Sequence, residues 1–263
     1  MTLDVARLDL RTRRRMLIGC MLGIAAYAFL IVAIYPAFEG DASLNQMTQD
    51  NPTMAALFGA TGSLTSTAGW LNANLYANFV PLIALLLTVG YGAGAIAGQD
   101  EDGSLGLTAT LPLTRRALLL QKTVTLMALA VAVPAVTFLC LLAGPAFDLD
   151  PDWAGAVAVT ATTCLLAWDL GLLALAIGAA TGSRGIALGV ATTVAAAGYL
   201  ISSLAPAVHG VHAIRWASPF YWAVGGGQLT GAGPLWRDIA ALVGLGILLD
   251  LAAMRAFERL DVH

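Results

Sequence analysis

Six apolar runs, separated by short polar segments, account for most of the chain. A helix needs roughly 20 apolar residues to cross a bilayer, and the runs at about 16–38, 76–97, 123–147, 153–181, 186–208 and 235–257 all reach that length. The pattern predicts an all-α membrane protein with a single transmembrane domain over 1–263. The first run, ending near Pro36, is too long for the apolar core of a cleaved signal peptide, which spans about 7–15 residues. It reads as a retained span.

The polar segments differ in kind. Residues 1–15 carry Arg7, Arg11, Arg13, Arg14 and Arg15; on a helix Arg7, Arg11 and Arg14 share a face, which predicts an interfacial helix lying on anionic lipid. Residues 39–75 hold Glu39, Asp41 and Asp50, no base, and an apolar patch, Met54–Phe58, that suggests a surface helix. Gly90, Gly92 and Gly94 allow close helix contact late in the second span. Residues 209–237 are too broken by glycine and proline to span. Their Trp216, Phe220, Tyr221, Trp222 and Trp236 suit a membrane interface and predict an outer re-entrant segment. Of the 13 Lys and Arg residues, all but Arg215 and Arg237 fall on one side of the six-span frame. The positive-inside rule then puts both termini in the cytoplasm of a multi-pass cell-membrane protein.

Composition agrees. With 59% hydrophobic and 11% charged residues, the chain departs from soluble domains, where about 25% are charged, and six spans leave no length for a separate catalytic domain. The net charge of −3 adds nothing further. Cys20, Cys140 and Cys164 lie within apolar runs without CxxC spacing and read as buried thiols.

The polar stretch with both signs of charge is 98–122, GQDEDGSLGLTATLPLTRRALLLQK. Asp100, Glu101 and Asp102 follow the second span, Gly103 lets another backbone approach, and Pro112 ends any helix begun there. Thr114 is placed to cap a helix starting at Arg115. This order predicts a short cytoplasmic helix, a proline corner, and a helix feeding the third span.

The stretch resembles the first cytoplasmic loop of type 2 ABC exporter permeases, in which an acidic pair, Gly-Ser/Thr-Leu, a Pro-Leu/Val-Ser/Thr-Arg turn and a late Lys recur. Glu101, Gly103, Ser104, Leu105, Pro112, Leu113, Thr114, Arg115 and Lys122 occupy matching positions, and Asp100 and Asp102 extend the acidity. Ser218, Pro219 and Phe220 sit where the family's outer segment often has Ser-Pro-Phe, and the basic N-terminal segment is similar to its interfacial elbow helix. The resemblance implies that 98–122 includes a coupling helix docked on a cytoplasmic ABC ATPase, with Asp100, Glu101, Asp102, Gly103, Ser104, Leu105, Pro112, Leu113, Thr114 and Arg115 as contact residues. It also implies a dimer with a second permease copy, identical or related, in a bacterial cell membrane, and efflux of a drug, peptide or lipid.

A phosphate-binding loop reads G-x-x-x-x-G-K-[ST], and the sole lysine, Lys122, precedes Thr123 but follows Gln121. The chain is therefore expected to be no enzyme and to bind no cofactor, with ATP and Mg on the partner subunit. Membrane lipid is expected as a partner and nucleic acid is not. Asn72, Asn74, Asn78 and Asp169 could line a substrate path. Asp169 sits mid-span, where a charged Asp costs about 2.5–3.5 kcal/mol. It needs water, a proton, or hydrogen bonds from Thr162, Thr163, Thr192 or Thr193, and it keeps open an alternative, an ion-coupled secondary carrier. Asp250 is placed to pair with Arg255 or Arg259. His209 and His212 are three apart, as metal ligands on a helix could be, but no HExxH follows and the glycine-rich surroundings argue against a rigid site, so they read as interfacial histidines.

Overall fold

The computed structural model describes residues 4–39, 65–103, 114–206, 208–225, 227–229 and 236–259. Among them are six helices long and apolar enough to cross a membrane, and no strand. They are α1 (Asp4–Ile34), α2 (Thr67–Glu101), α3 (Arg115–Leu141), α4 (Trp153–Thr181), α5 (Arg184–Leu204) and α6 (Trp236–Arg259). The apolar patch Met54–Phe58 and the loop residues Ser104, Leu105, Pro112 and Leu113 lie outside the described residues.

Local signals set several ends. Thr114 Oγ1 accepts the Ala117 N–H at 3.2 Å and starts α3, as its position before Arg115 predicts. Asp152 caps α4 by accepting from Ala154 at 3.3 Å and Gly155 at 3.0 Å. Gly182, at φ 64°, takes the left-handed conformation that closes the other end of α4. This span coincides with its sequence boundaries.

Two other spans run longer than expected. The basic segment forms no separate interfacial helix, because α1 continues unbroken for 31 residues. At 1.5 Å per residue that is about 46 Å, well beyond a hydrocarbon core of about 30 Å. Arginine is a good helix former, and nothing between Asp4 and Ile34 interrupts the hydrogen-bond ladder. α3 begins at Arg115, as expected of the helix feeding the third span, and it ends at Leu141, before the expected 147, where a short 3-10 turn, Gly144–Phe147, follows. α2 begins at Thr67 rather than near Tyr76. It absorbs two π turns, Asn72–Tyr76 and Gly94–Gly98, and a break at Ala77 and Asn78.

α4 is the centre of the bundle, packed against α2, α6, α3 and α5. It approaches α2 closely where Gly92 meets Gly171: a Cβ on Gly92 would collide with the Gly171 carbonyl oxygen. Gly90, by contrast, faces open space. Residues 98–103 and 114–122, Arg184 and the end of α6 gather at one end of the bundle, hereafter the basic end. At the opposite end, Tyr35, Trp70 and Tyr76 are buried among α1 to α4. There Ser218 Oγ donates to the Gly198 carbonyl at 2.6 Å and Thr162 Oγ1 to the Ala223 carbonyl at 2.6 Å. These bonds pull the segment Ser218–Gly225 in between α4 and α5 and bury Phe220, the dip that its broken pattern suggests.

Candidate functional site

At the basic end, the last turn of α2 is Gln99–Glu101, followed by Asp102 and by Gly103 at φ 70°. Glu101 Oε1 accepts the Arg184 backbone N–H at 2.9 Å. The first N–H groups of a helix have no partner within it, so a carboxylate from one span closes the start of another. Asp102 and Gly103 are exposed. Asp100 is half-buried, and its Oδ1 has no hydrogen-bond partner among the described residues.

The far side of the loop is tied in the complementary way. Arg115 Nη1 donates to the carbonyls of Phe257 at 2.9 Å and Glu258 at 3.3 Å, and its guanidinium lies 5.7 Å from the Phe257 ring. A cation there meets the unpaired carbonyls and negative dipole end of α6. Arg116 pairs with Glu258 at 2.7 Å in the open. Of the expected contact residues, the structure thus places Asp100, Glu101, Asp102 and Gly103 at the end of α2, and Thr114 and Arg115 at the start of α3. Glu101, Thr114 and Arg115 also bond within the chain.

Beneath the loop lies a polar core that the sequence does not announce. Lys122 is fully buried, and its Nζ donates to Asp9 Oδ2 at 2.9 Å and Gln99 Oε1 at 3.1 Å. The Tyr91 hydroxyl donates to the same Asp9 oxygen at 2.6 Å, and the Arg13 guanidinium stands 5.1 Å from the Tyr91 ring. Gln121 Oε1 accepts the Val5 N–H at 2.9 Å, so the first turn of α1 is capped by α3. The arginine-rich segment is thereby held against protein along one side. Its exposed side carries Arg7, Arg11, Arg14 and Arg15. One signal existed: Asp9 is the sole acid amid five arginines, and Lys122 the chain's sole lysine.

The three asparagines expected along a substrate path bond to the backbone and side chains around the start of α2. Asn74 Nδ2 donates to the Trp70 carbonyl at 3.0 Å. Asn78 Nδ2 donates to the Ala73 carbonyl at 3.1 Å and its Oδ1 accepts the Tyr199 hydroxyl. Asn72 is buried in the first π turn. All three sit in the early part of α2, and these bonds reinforce its irregular start.

Asp169 stands apart in α4. It is fully buried and neither oxygen has a hydrogen-bond partner among the described residues. The threonine partners expected from sequence bond elsewhere: Thr162 to Ala223, Thr163 to the Val159 carbonyl, and Thr193 to the Gly189 carbonyl. Thr192 is exposed on α5. What covers Asp169 is α6 at Gly246, where a Cβ would fall 2.7 Å from Asp169 Oδ1. Asp250 also departs from expectation, accepting from Thr123 Oγ1 at 2.9 Å. No group of three or more His, Cys, Asp or Glu among the described residues could hold a metal ion.

The family model described as ABC-2 family transporter protein matches residues 3–224. No curated protein matches the chain.

Proposed function

The chain belongs to the ABC-2 transporter family as a multi-pass membrane permease subunit, and on that premise we propose that it serves an exporter whose ATPase is a separate cytoplasmic subunit docking on residues 98–115. The basic end faces the cytoplasm in this reading, with both termini. Two permeases, identical or related, assemble around the path, and ATP and Mg are held by the ATPase subunits. The substrate is hydrophobic or amphipathic, of the drug, peptide or lipid class.

The observation that carries this reading is the anchoring of the loop at both ends to other spans. Glu101 closes the start of α5, and Arg115 closes the end of α6. A displacement of the loop by a docked subunit would therefore act directly on two further spans. Asp102 and Gly103, exposed between these anchors, are where such a subunit could reach the chain.

A pull-down in mild detergent tests the docking. Wild-type protein is expected to recover an ATPase that Asp102→Lys combined with Leu105→Asp loses, while the variant keeps its size-exclusion profile. Equal recovery by both would place docking elsewhere. Absence of any ATPase from well-folded wild type would favour the second reading, an ion-coupled carrier. The unpartnered carboxyl of Asp169 supports that alternative, and Asp169→Asn would then abolish transport.

A further inference from the structure

Thirteen bases serve the whole chain, and the two at the opposite end, Arg215 and Arg237, converge on one side chain. Arg215 Cζ lies 4.8 Å from the Trp216 ring centroid, and Arg237 Cζ lies 4.8 Å from the same ring. Arg215 is also 5.2 Å from the Tyr221 ring and Arg237 5.6 Å from Trp222. A cation over an aromatic face is attracted by the ring quadrupole. Two cations sharing one indole also repel each other, and the Asp238 carboxylate beside Arg237 at 3.3 Å offsets only one of the two charges.

The platform is built, not incidental. The Trp222 indole N–H donates to the Trp216 carbonyl at 2.8 Å, and Trp216, Tyr221 and Trp222 pack with centroids 5.0–6.3 Å apart. Buried Phe220 and the Ser218 and Thr162 bonds fix this segment to α4 and α5. A guanidinium over a ring face keeps N–H donors free for a ligand, and their fork matches the oxygens of a phosphate. Arg215 Nε is itself buried without a hydrogen-bond partner among the described residues, so a phosphate would meet the terminal Nη groups. Arg237 Nε bonds to Asp238 at 3.3 Å, one of five donors on that group.

Exposed apolar surface adjoins in sequence: Ile214 is 51% and Trp236 74% exposed, and Trp216 itself 40%. Guanidinium beside open indole and aliphatic surface is the chemistry that recognises an amphiphile with an anionic head. We propose that Arg215, Arg237 and Trp216 form a binding site for the phosphate of an anionic lipid headgroup at this end of the bundle. The site rests on the topology proposed above only for which leaflet supplies the lipid. Binding to the purified chain does not depend on that topology or on the ATPase.

The test is native mass spectrometry of the purified full chain titrated with phosphatidylglycerol and, separately, phosphatidylcholine. Wild type is expected to bind phosphatidylglycerol about tenfold more tightly. Arg215→Gln with Arg237→Gln should erase the preference, and the paired Lys variants, which keep charge but lose the planar fork, should keep part of it. Arg237→Gln alone, at an exposed side chain, should lower it by a smaller factor and serves if the double variant does not fold. Equal affinity for both lipids in wild type, or an unchanged preference in the glutamine variants, overturns the site. Millimolar inorganic phosphate should fail to displace the lipid; full displacement would reassign the site to a soluble oxyanion and overturn the lipid assignment.

Discussion

The two ends of the bundle are held together by different physics. At the basic end, side chains bond across spans: Lys122 to Asp9 and Gln99, Tyr91 to Asp9, Gln121 to Val5, Glu101 to Arg184 and Arg115 to Phe257. At the opposite end, stacked aromatic rings such as Phe38 on Trp70, with centroids 5.2 Å apart, and hydroxyl-to-carbonyl bonds fix one irregular segment in place. Directional charge-assisted bonds fail together when one member leaves, whereas apolar packing gives way locally. If the basic end receives a docked subunit, as proposed above, the first kind suits it to pass on a displacement, and the second suits an end proposed to hold lipid.

The sharpest break in this contrast is Lys122→Met. Removing one partner of a buried ion pair costs about 3–5 kcal/mol because the other charge stays behind, so the variant should lose most of its folded yield in detergent thermal-shift assays. Adding Asp9→Asn should recover part of the loss, a signature that independent sites would not give. Thr162→Val is the counterpart at the opposite end. It leaves the buried Ala223 carbonyl without its donor and should cost about 1–3 kcal/mol while leaving ATPase recovery intact.

Smaller effects sharpen the comparison. Glu101→Ala removes a helix cap and should lower stability by about 0.5–2 kcal/mol. Its larger consequence should be weaker coupling of ATP hydrolysis to transport, with Glu101→Gln retaining most of the stability. Arg116→Ala opens an exposed pair and should change thermal stability by less than about 1 kcal/mol. A large effect there would mean that Arg116 touches a partner subunit.

The sequence made the number of spans legible because each is an apolar run of bilayer length. α4 was legible to the residue because an acid cap and a left-handed glycine bracket it. The start of α1 was not, since arginines continue a helix as readily as they lie on lipid. The start of α2 was hidden by Asn72, Asn74 and Asn78, which lower hydropathy and yet, for Asn74 and Asn78, bond back to the helix's own carbonyls. At the site, Thr114 was legible as a local cap. The Lys122 to Asp9 pair joins residues far apart in the chain, and the Glu101 bond ends on a backbone N–H that no residue pattern marks. Asp250 was matched to nearby arginines because sequence distance favours them, and the folded distance favours Thr123.

The placement of Asp9 also imposes an order on biogenesis. A ribosome delivers Asp9 with the first helix and Lys122 with the third, so their pair can close while the rest of the chain is still being made. The Arg115 clasp on Phe257 must wait for α6 to emerge. Early closure shields the one lysine from lipid during synthesis, and the later closure makes α6 a latch set on a bundle already begun.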